Sequence, residues 1–147
     1  MKVSDEPIVV EQSFENSTEE VWSAITELKR MREWFFDNIE EFEPKIGFKT
    51  SFAVQSGERT FTHLWEITEV VPLHKITYRW HYTEYPGDSF VKFELNEKAG
   101  FTRLRLSTEV IVDFPDEIPE FKRESAVHGW NYFIGKQLKA YLENYNS

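Results

Sequence analysis

Cysteine is absent from the sequence, which excludes disulfides, a thiol nucleophile and a thiolate metal centre. Basic residues are scarce beside acidic ones: 17 Lys and Arg against 26 Asp and Glu leave a net charge of −9. Neutralising phosphates needs a basic face, so nucleic acid is not an expected partner, and an anionic membrane surface is not one either. No apolar run approaches the ~20 residues of a membrane-spanning helix. The N-terminal residues lack the basic segment and apolar run of a signal peptide. A soluble cytoplasmic protein is therefore expected. Phosphate-cradling Gly-rich loops, a nucleophile elbow around Ser89, Ser107 or Ser125, and an HExxH pair are all missing. The acidic residues are spread over solvent-facing positions, so no paired-carboxylate site is legible. No catalytic residue, metal or cofactor is expected from these patterns.

Aromatic residues are abundant. Thirteen Phe, six Tyr and five Trp make up 16% of the chain, enough large stiff side chains to furnish both a core and a cavity wall. At 147 residues the chain is expected to form one domain, 1–147, with a sizeable core. Near its end Trp130, Ile134, Leu138, Tyr141 and Tyr145 recur in steps of three and four. This spacing predicts one long helix from Glu120 or Phe121 to about Tyr145, with an aromatic stripe facing inward.

Earlier segments alternate instead. Residues 7–14 read as a first strand with Ile8 and Val10 inward. Ser17 followed by Glu20 predicts a capped helix start, with Val21, Trp22, Ile25 and Leu28 on the buried face. A second short helix over Met31–Phe36 contributes Trp34 and Phe35, and the acidic stretch Asp37–Pro44 reads as a solvated loop. Strands then follow at 47–54, 60–71 and 75–83, the last carrying Ile76, Tyr78, Trp80 and Tyr82 on one face. Two more flank Ala99-Gly100. A two-residue turn there sets Phe93 opposite Leu106 and Glu94 opposite Arg105, so packing and charge agree on one register. Residues 113–120, with Pro115 and Pro119, read as a linker.

His63 and His81 sit on neighbouring strands, but a two-residue turn at Pro72-Leu73 would set His63 opposite Tyr82 and turn His81 to the other face. They are therefore not expected to share a metal. His128 lies well round the helix from the aromatic stripe. Among the arginines, alternation turns Arg79 and Arg103 away from the aromatic face, leaving Arg59 near a sheet end as the one cation within reach of a cavity mouth. A neutral ligand is favoured over an anionic one.

The order of elements, with Ser17-Thr18-Glu19-Glu20-Val21-Trp22, Glu33-Trp34-Phe35, Trp65-Glu66-Ile67, Val70-Val71-Pro72, Ile76-Thr77-Tyr78-Arg79-Trp80 and Gly129-Trp130 with Leu138 and Leu142, resembles the START-like helix-grip superfamily. This is the birch-pollen-allergen, or SRPBCC, fold. Within it the chain is most similar to the branch containing the C-terminal domain of the activator of heat-shock protein 90 ATPase. The resemblance implies an α+β fold: a seven-stranded antiparallel sheet wrapped around a long C-terminal helix, with two short helices after the first strand. Relatives hold apolar or aromatic ligands between helix and sheet, the place where a concave apolar space is also the default binding site. Tyr78, Trp80, Tyr82, Phe93, Trp130 and Ile134 are the candidate ligand-binding residues. Trp130 reads first as core packing, and Trp80 and Tyr82 evenly as core or ligand wall. Three functions stay open: non-enzymatic binding of a small hydrophobic molecule, a cochaperone-type interaction module of the stress response with a chaperone as partner, and a cyclase- or hydrolase-like enzyme using the same cavity.

Overall fold

The computed structural model describes residues 1–145; Asn146 and Ser147, the last positions of the expected 1–147 domain, lie outside the described residues. Strand β1 (Ile8–Phe14) leads into helices α1 (Thr18–Thr26) and α2 (Leu28–Trp34), then strands β2 (Lys49–Ser56), β3 (Arg59–Val71), β4 (Lys75–Tyr82), β5 (Asp88–Lys98) and β6 (Phe101–Val112). A short 3₁₀ turn, Pro119–Phe121, precedes a helix built from α3 (Arg123–Trp130), a π-helical segment (Asn131–Leu138) and α4 (Lys139–Tyr145). All strand pairs are antiparallel, in the order β1-β6-β5-β4-β3-β2. The fold is α+β, with one sheet face covered by helices.

The sheet has six strands, not the seven that the resemblance implies. The alternating runs in the sequence are themselves six. The longest remaining stretch, 35–48, buries Ile39 and Phe42. Its carbonyls at Ile39 and Glu40 accept from the Arg32 guanidinium at 2.7 and 3.1 Å, so they satisfy their hydrogen bonding without a strand partner. This also corrects the reading of 37–44 as simply solvated, because the loop is pinned by two apolar anchors.

Local chemistry explains the elements. Ser17 Oγ accepts from the Glu20 amide at 3.2 Å and caps α1. The Glu20 carboxylate does not close the capping box; it accepts from Arg30 of α2 at 2.7 Å. The α2 helix ends at Trp34, two residues before the expected boundary, and Phe35 caps it while turning into the core. Ala99 and Gly100 both take positive φ, 42° and 92°, as a type I′ hairpin requires, and the register sets Phe93 on Leu106 and Glu94 on Arg105. His63 does face Tyr82, by a different route. The β3–β4 loop closes on Val71 and Lys75, one residue longer than expected, and a bulge between Ile67 and Glu69 restores the register.

The C-terminal helix buries Trp130, Ile134, Leu138 and Leu142, while Tyr141 is half-buried and Tyr145 exposed. A stripe at uniform steps of four drifts around an α-helix. The wider π-helical i→i+5 turn drifts the other way, so a helix that mixes the two holds the stripe nearly in line. The helix is tied down where Asn16 Nδ2 donates to the Leu142 carbonyl at 3.1 Å and Lys139 Nζ to the Ser13 carbonyl at 2.8 Å. Arg30 Nε donates to the Tyr141 hydroxyl at 2.9 Å, joining α2 to α4.

Candidate functional site

Alternation along β3 and β4 puts Phe61, His63 and Trp65 beside Tyr82, Trp80 and Tyr78 on the face toward the helix, with His63 paired to Tyr82 and Trp65 to Trp80. These rings meet rings from elsewhere. Phe35 stacks on Trp34 at 4.7 Å and stands 5.9 Å from Trp130, and Trp80 meets Trp130 edge-on at 5.4 Å. A second apolar cluster, Phe61, Phe114 and Phe121, closes the sheet end where the chain enters the C-terminal helix.

Between these walls lies a cavity of about 180 Å³. The sheet supplies His63, Trp80, Tyr82, Ser89 and Thr108; the helix supplies Ala126, Gly129, Trp130 and Phe133; Phe36 closes a third side. Half-exposed Glu120, Ala126 and Gly129 mark its mouth. An engineered apolar cavity of roughly 150 Å³ accepts benzene, so this space matches one ring or a compact pair.

Of the residues expected to border one space, Trp80, Tyr82 and Trp130 line the cavity. Tyr78, Phe93 and Ile134 do not: each is buried within the packed core beyond it. Among the lining residues that the sequence did not mark as ligand-binding are His63, Phe36, Phe133, Ser89, Thr108 and Glu120. His63 had a legible signal, since the register set it opposite Tyr82. Nothing in the pattern marked the strand residues Ser89 and Thr108 as facing a hollow.

The polar groups of the wall are few and defined. His63 is packed among Phe36, Phe52, Trp80 and Tyr82, with ring centroids 4.8 to 5.5 Å away. Burial in this apolar surround pushes its imidazole down to about 4, against a partial rise from the Phe61 carbonyl, so the ring is neutral near pH 7. Its Nδ1 lies 3.0 Å from that carbonyl. A carbonyl only accepts, so Nδ1 carries the hydrogen and Nε2 presents a lone pair. Trp80 Nε1 donates to the Tyr82 hydroxyl at 2.9 Å, and burial pushes that phenol up to about 12. Ser89 Oγ donates to the Trp80 carbonyl at 2.8 Å.

At the mouth Arg59 is held by Glu120, with Nε and Nη2 at 2.9 and 3.1 Å from its two carboxylate oxygens, and Ser56 adds a third bond. The Arg59 pairing keeps Glu120 below the usual carboxylate range. The one arginine expected near the mouth is thus already neutralised by a carboxylate that itself lines the cavity. Among the described residues no cluster of three or more His, Asp or Glu could hold a metal ion, and no helix is long and apolar enough to cross a membrane.

Comparison with known proteins agrees with this architecture. The family model described as "Activator of Hsp90 ATPase homolog 1-like protein" matches residues 15–143. A solved structure from Chromobacterium violaceum is similar with a TM-score of 0.78 at 20% identity, over 93% of this chain and 96% of that one. One from Mesorhizobium loti gives 0.75 at 23% identity, over 95% and 98%. DynU16, a protein in the dynemicin biosynthetic locus, gives 0.74 at 25% identity over 95% of this chain, which spans only 48% of DynU16. No curated protein matches the sequence significantly.

Proposed function

The chain belongs to the Activator of Hsp90 ATPase homolog 1-like family, within the START-like helix-grip superfamily, and from that premise we propose that it binds a small, neutral, hydrophobic or aromatic molecule between sheet and C-terminal helix without transforming it. One observation carries the reading: a hollow of about 180 Å³, walled by Trp80, Tyr82, Trp130, Phe36 and Phe133, lies between sheet and helix beside the packed core. Burial of ligand surface there is worth ~25 cal/mol per Å², with ~0.5–1.5 kcal/mol more from each well-placed ring contact. The Arg59–Glu120 pairing at the mouth supports a neutral ligand, because it leaves no uncommitted arginine for an anion at that point.

Binding is favoured over catalysis by the state of His63. An imidazole at about 4 is a weak base near neutral pH, far from the value that suits a general base, yet it remains a good hydrogen-bond acceptor. The test is a titration of one-ring and compact two-ring aromatics, followed by the fluorescence of Trp80 and Trp130. Dissociation constants below ~100 μM, about 5.5 kcal/mol of binding, are expected for some of these compounds. If none reaches that level, the binding reading fails.

The family's description favours a second reading, that of a cochaperone-type module. It predicts stimulation of a heat-shock protein 90 ATPase by the purified chain. Weak or no stimulation is expected; a several-fold rise in turnover at micromolar protein would reverse the order of the two readings.

A further inference from the structure

Two of the cavity's polar groups, His63 and Tyr82, form a directional pair. His63 lines the cavity, and because its Nδ1 is committed to the Phe61 carbonyl, Nε2 is left as a lone-pair acceptor. Among the described residues no protein group donates to Nε2, and the one fully enclosed side-chain polar atom lacking a partner is Trp65 Nε1. His63 Nε2 is therefore not fully enclosed, and the cavity is the space that its ring lines. The Tyr82 oxygen already accepts from Trp80 Nε1, so the role left to that hydroxyl is to donate its own hydrogen. The two rings stand 4.9 Å apart, centroid to centroid. One acceptor and one donor thus belong to neighbouring rings of a wall that also carries Phe36, Trp80, Trp130 and Phe133.

We propose that the ligand is a neutral, single-ring hydroxyarene of the phenol type, whose hydroxyl donates to His63 Nε2 and accepts from Tyr82. This rests on the binding function proposed above and names the chemistry it selects. A hydroxyl satisfies both wall groups at once through a single small atom, by donating to the first and accepting from the second. A ligand without a donor leaves the His63 lone pair buried and unpaired, which is the costly arrangement. A phenolate is disfavoured twice: it has no hydrogen for Nε2, and the Glu120 carboxylate lines the same space. The size of the hollow, close to the roughly 150 Å³ that accepts benzene, favours a single ring.

The experiment compares three probes of similar shape on the full chain: 4-methylphenol, 4-methylanisole and p-xylene. Hydrophobic transfer alone favours p-xylene, the most apolar of the three. The proposal expects the reverse, with 4-methylphenol bound about tenfold more tightly than either probe that lacks a donor. The ¹⁵N resonance of His63 Nε2 should move with 4-methylphenol and stay in place with p-xylene. The H63F variant should lose the preference while still binding p-xylene, and H63Q, which keeps an acceptor, should retain part of it. Equal affinities for the three probes, or an unmoved Nε2 resonance with 4-methylphenol bound, would overturn the hydroxyarene assignment and leave the binding function intact. Absence of binding by all three at ~100 μM would overturn the hydroxyarene assignment, and the binding function falls with it where compact two-ring aromatics also fail to bind. The wild-type comparison stands even where H63F fails to fold.

Discussion

The two ends of the space under the C-terminal helix are built from the same kinds of residue and differ in whether they are filled. At one end Tyr78, Phe93, Ile134 and Leu138 are fully buried, and Ile39 and Phe42 of the 35–48 loop reach in to complete the packing. At the other, Trp80, Tyr82 and Trp130 surround a hollow. The difference comes from small residues. The helix presents Ala126 and Gly129 there, and β5 and β6 present the paired Ser89–Val110 and Val91–Thr108. A Cβ placed on Gly129 would meet no atom within 4 Å. Large aromatics facing small partners leave a gap; the same aromatics facing large ones do not.

The comparison breaks most directly at its filled end. Phe93→Ala should cost ~3–5 kcal/mol in a urea melt, as aromatic truncations in tight cores do. A loss below ~1 kcal/mol would mean that the filled end also has slack.

His63 tests the hollow end through pH. Its ordinary value is 6.5 and its folded value about 4, so between these the unfolded chain binds more protons and stability rises with pH. The gain should amount to about 3 kcal/mol from pH 4 to 6.5. Tyr82 from β4, Glu84 from the β4–β5 turn and Glu120 at the mouth are the titratable groups around it. The two glutamates are held below their usual range, so their own losses fall below pH ~4.5. Urea melts across pH 4.5–6.5 should show the slope in wild type and a nearly flat profile in His63→Gln.

Gly87→Ala examines the lid of the hollow. Gly87 has φ of 119°, and an added Cβ would overlap the Phe114 ring, so a loss of ~1–3 kcal/mol is expected by chemical denaturation. Wild-type stability in this variant would show that Phe114 is free to move. The smallest effect is a gain. Gly129→Ala lies in helix α3 with open space beside it, so stability should rise by ~0.5–1 kcal/mol from helix propensity, while affinity for ring probes falls as the hollow shrinks. A loss of stability would place the hollow elsewhere.

Much of this was readable from the chain. Alternation in β3 and β4, the Ala99-Gly100 turn and the Ser17 cap located their elements because each depends on neighbours close in sequence. The His63–Tyr82 pairing was also anticipated, although the loop is a residue longer than expected and the Thr68 bulge compensates. The candidate site was legible by half: Trp80, Tyr82 and Trp130 line the hollow, whereas Tyr78, Phe93 and Ile134 share their faces and periodicity but lie in solid core. Periodicity assigns a side chain to a face and carries no information about what stands across from it.

By itself, then, the sequence determined the six alternating strands, the capped first helix and the apolar stripe of the last one, all of which follow from backbone sterics and the spacing of apolar residues along one segment. Tertiary structure alone decided that the stripe runs through Leu142 rather than Tyr141, that Ile39 and Phe42 leave their acidic loop for the core, and that Ser89, Thr108, Ala126 and Gly129 converge around an empty volume. Those outcomes depend on the summed sizes of side chains brought together from distant segments, and a volume left unfilled by such a meeting has no residue of its own in the chain.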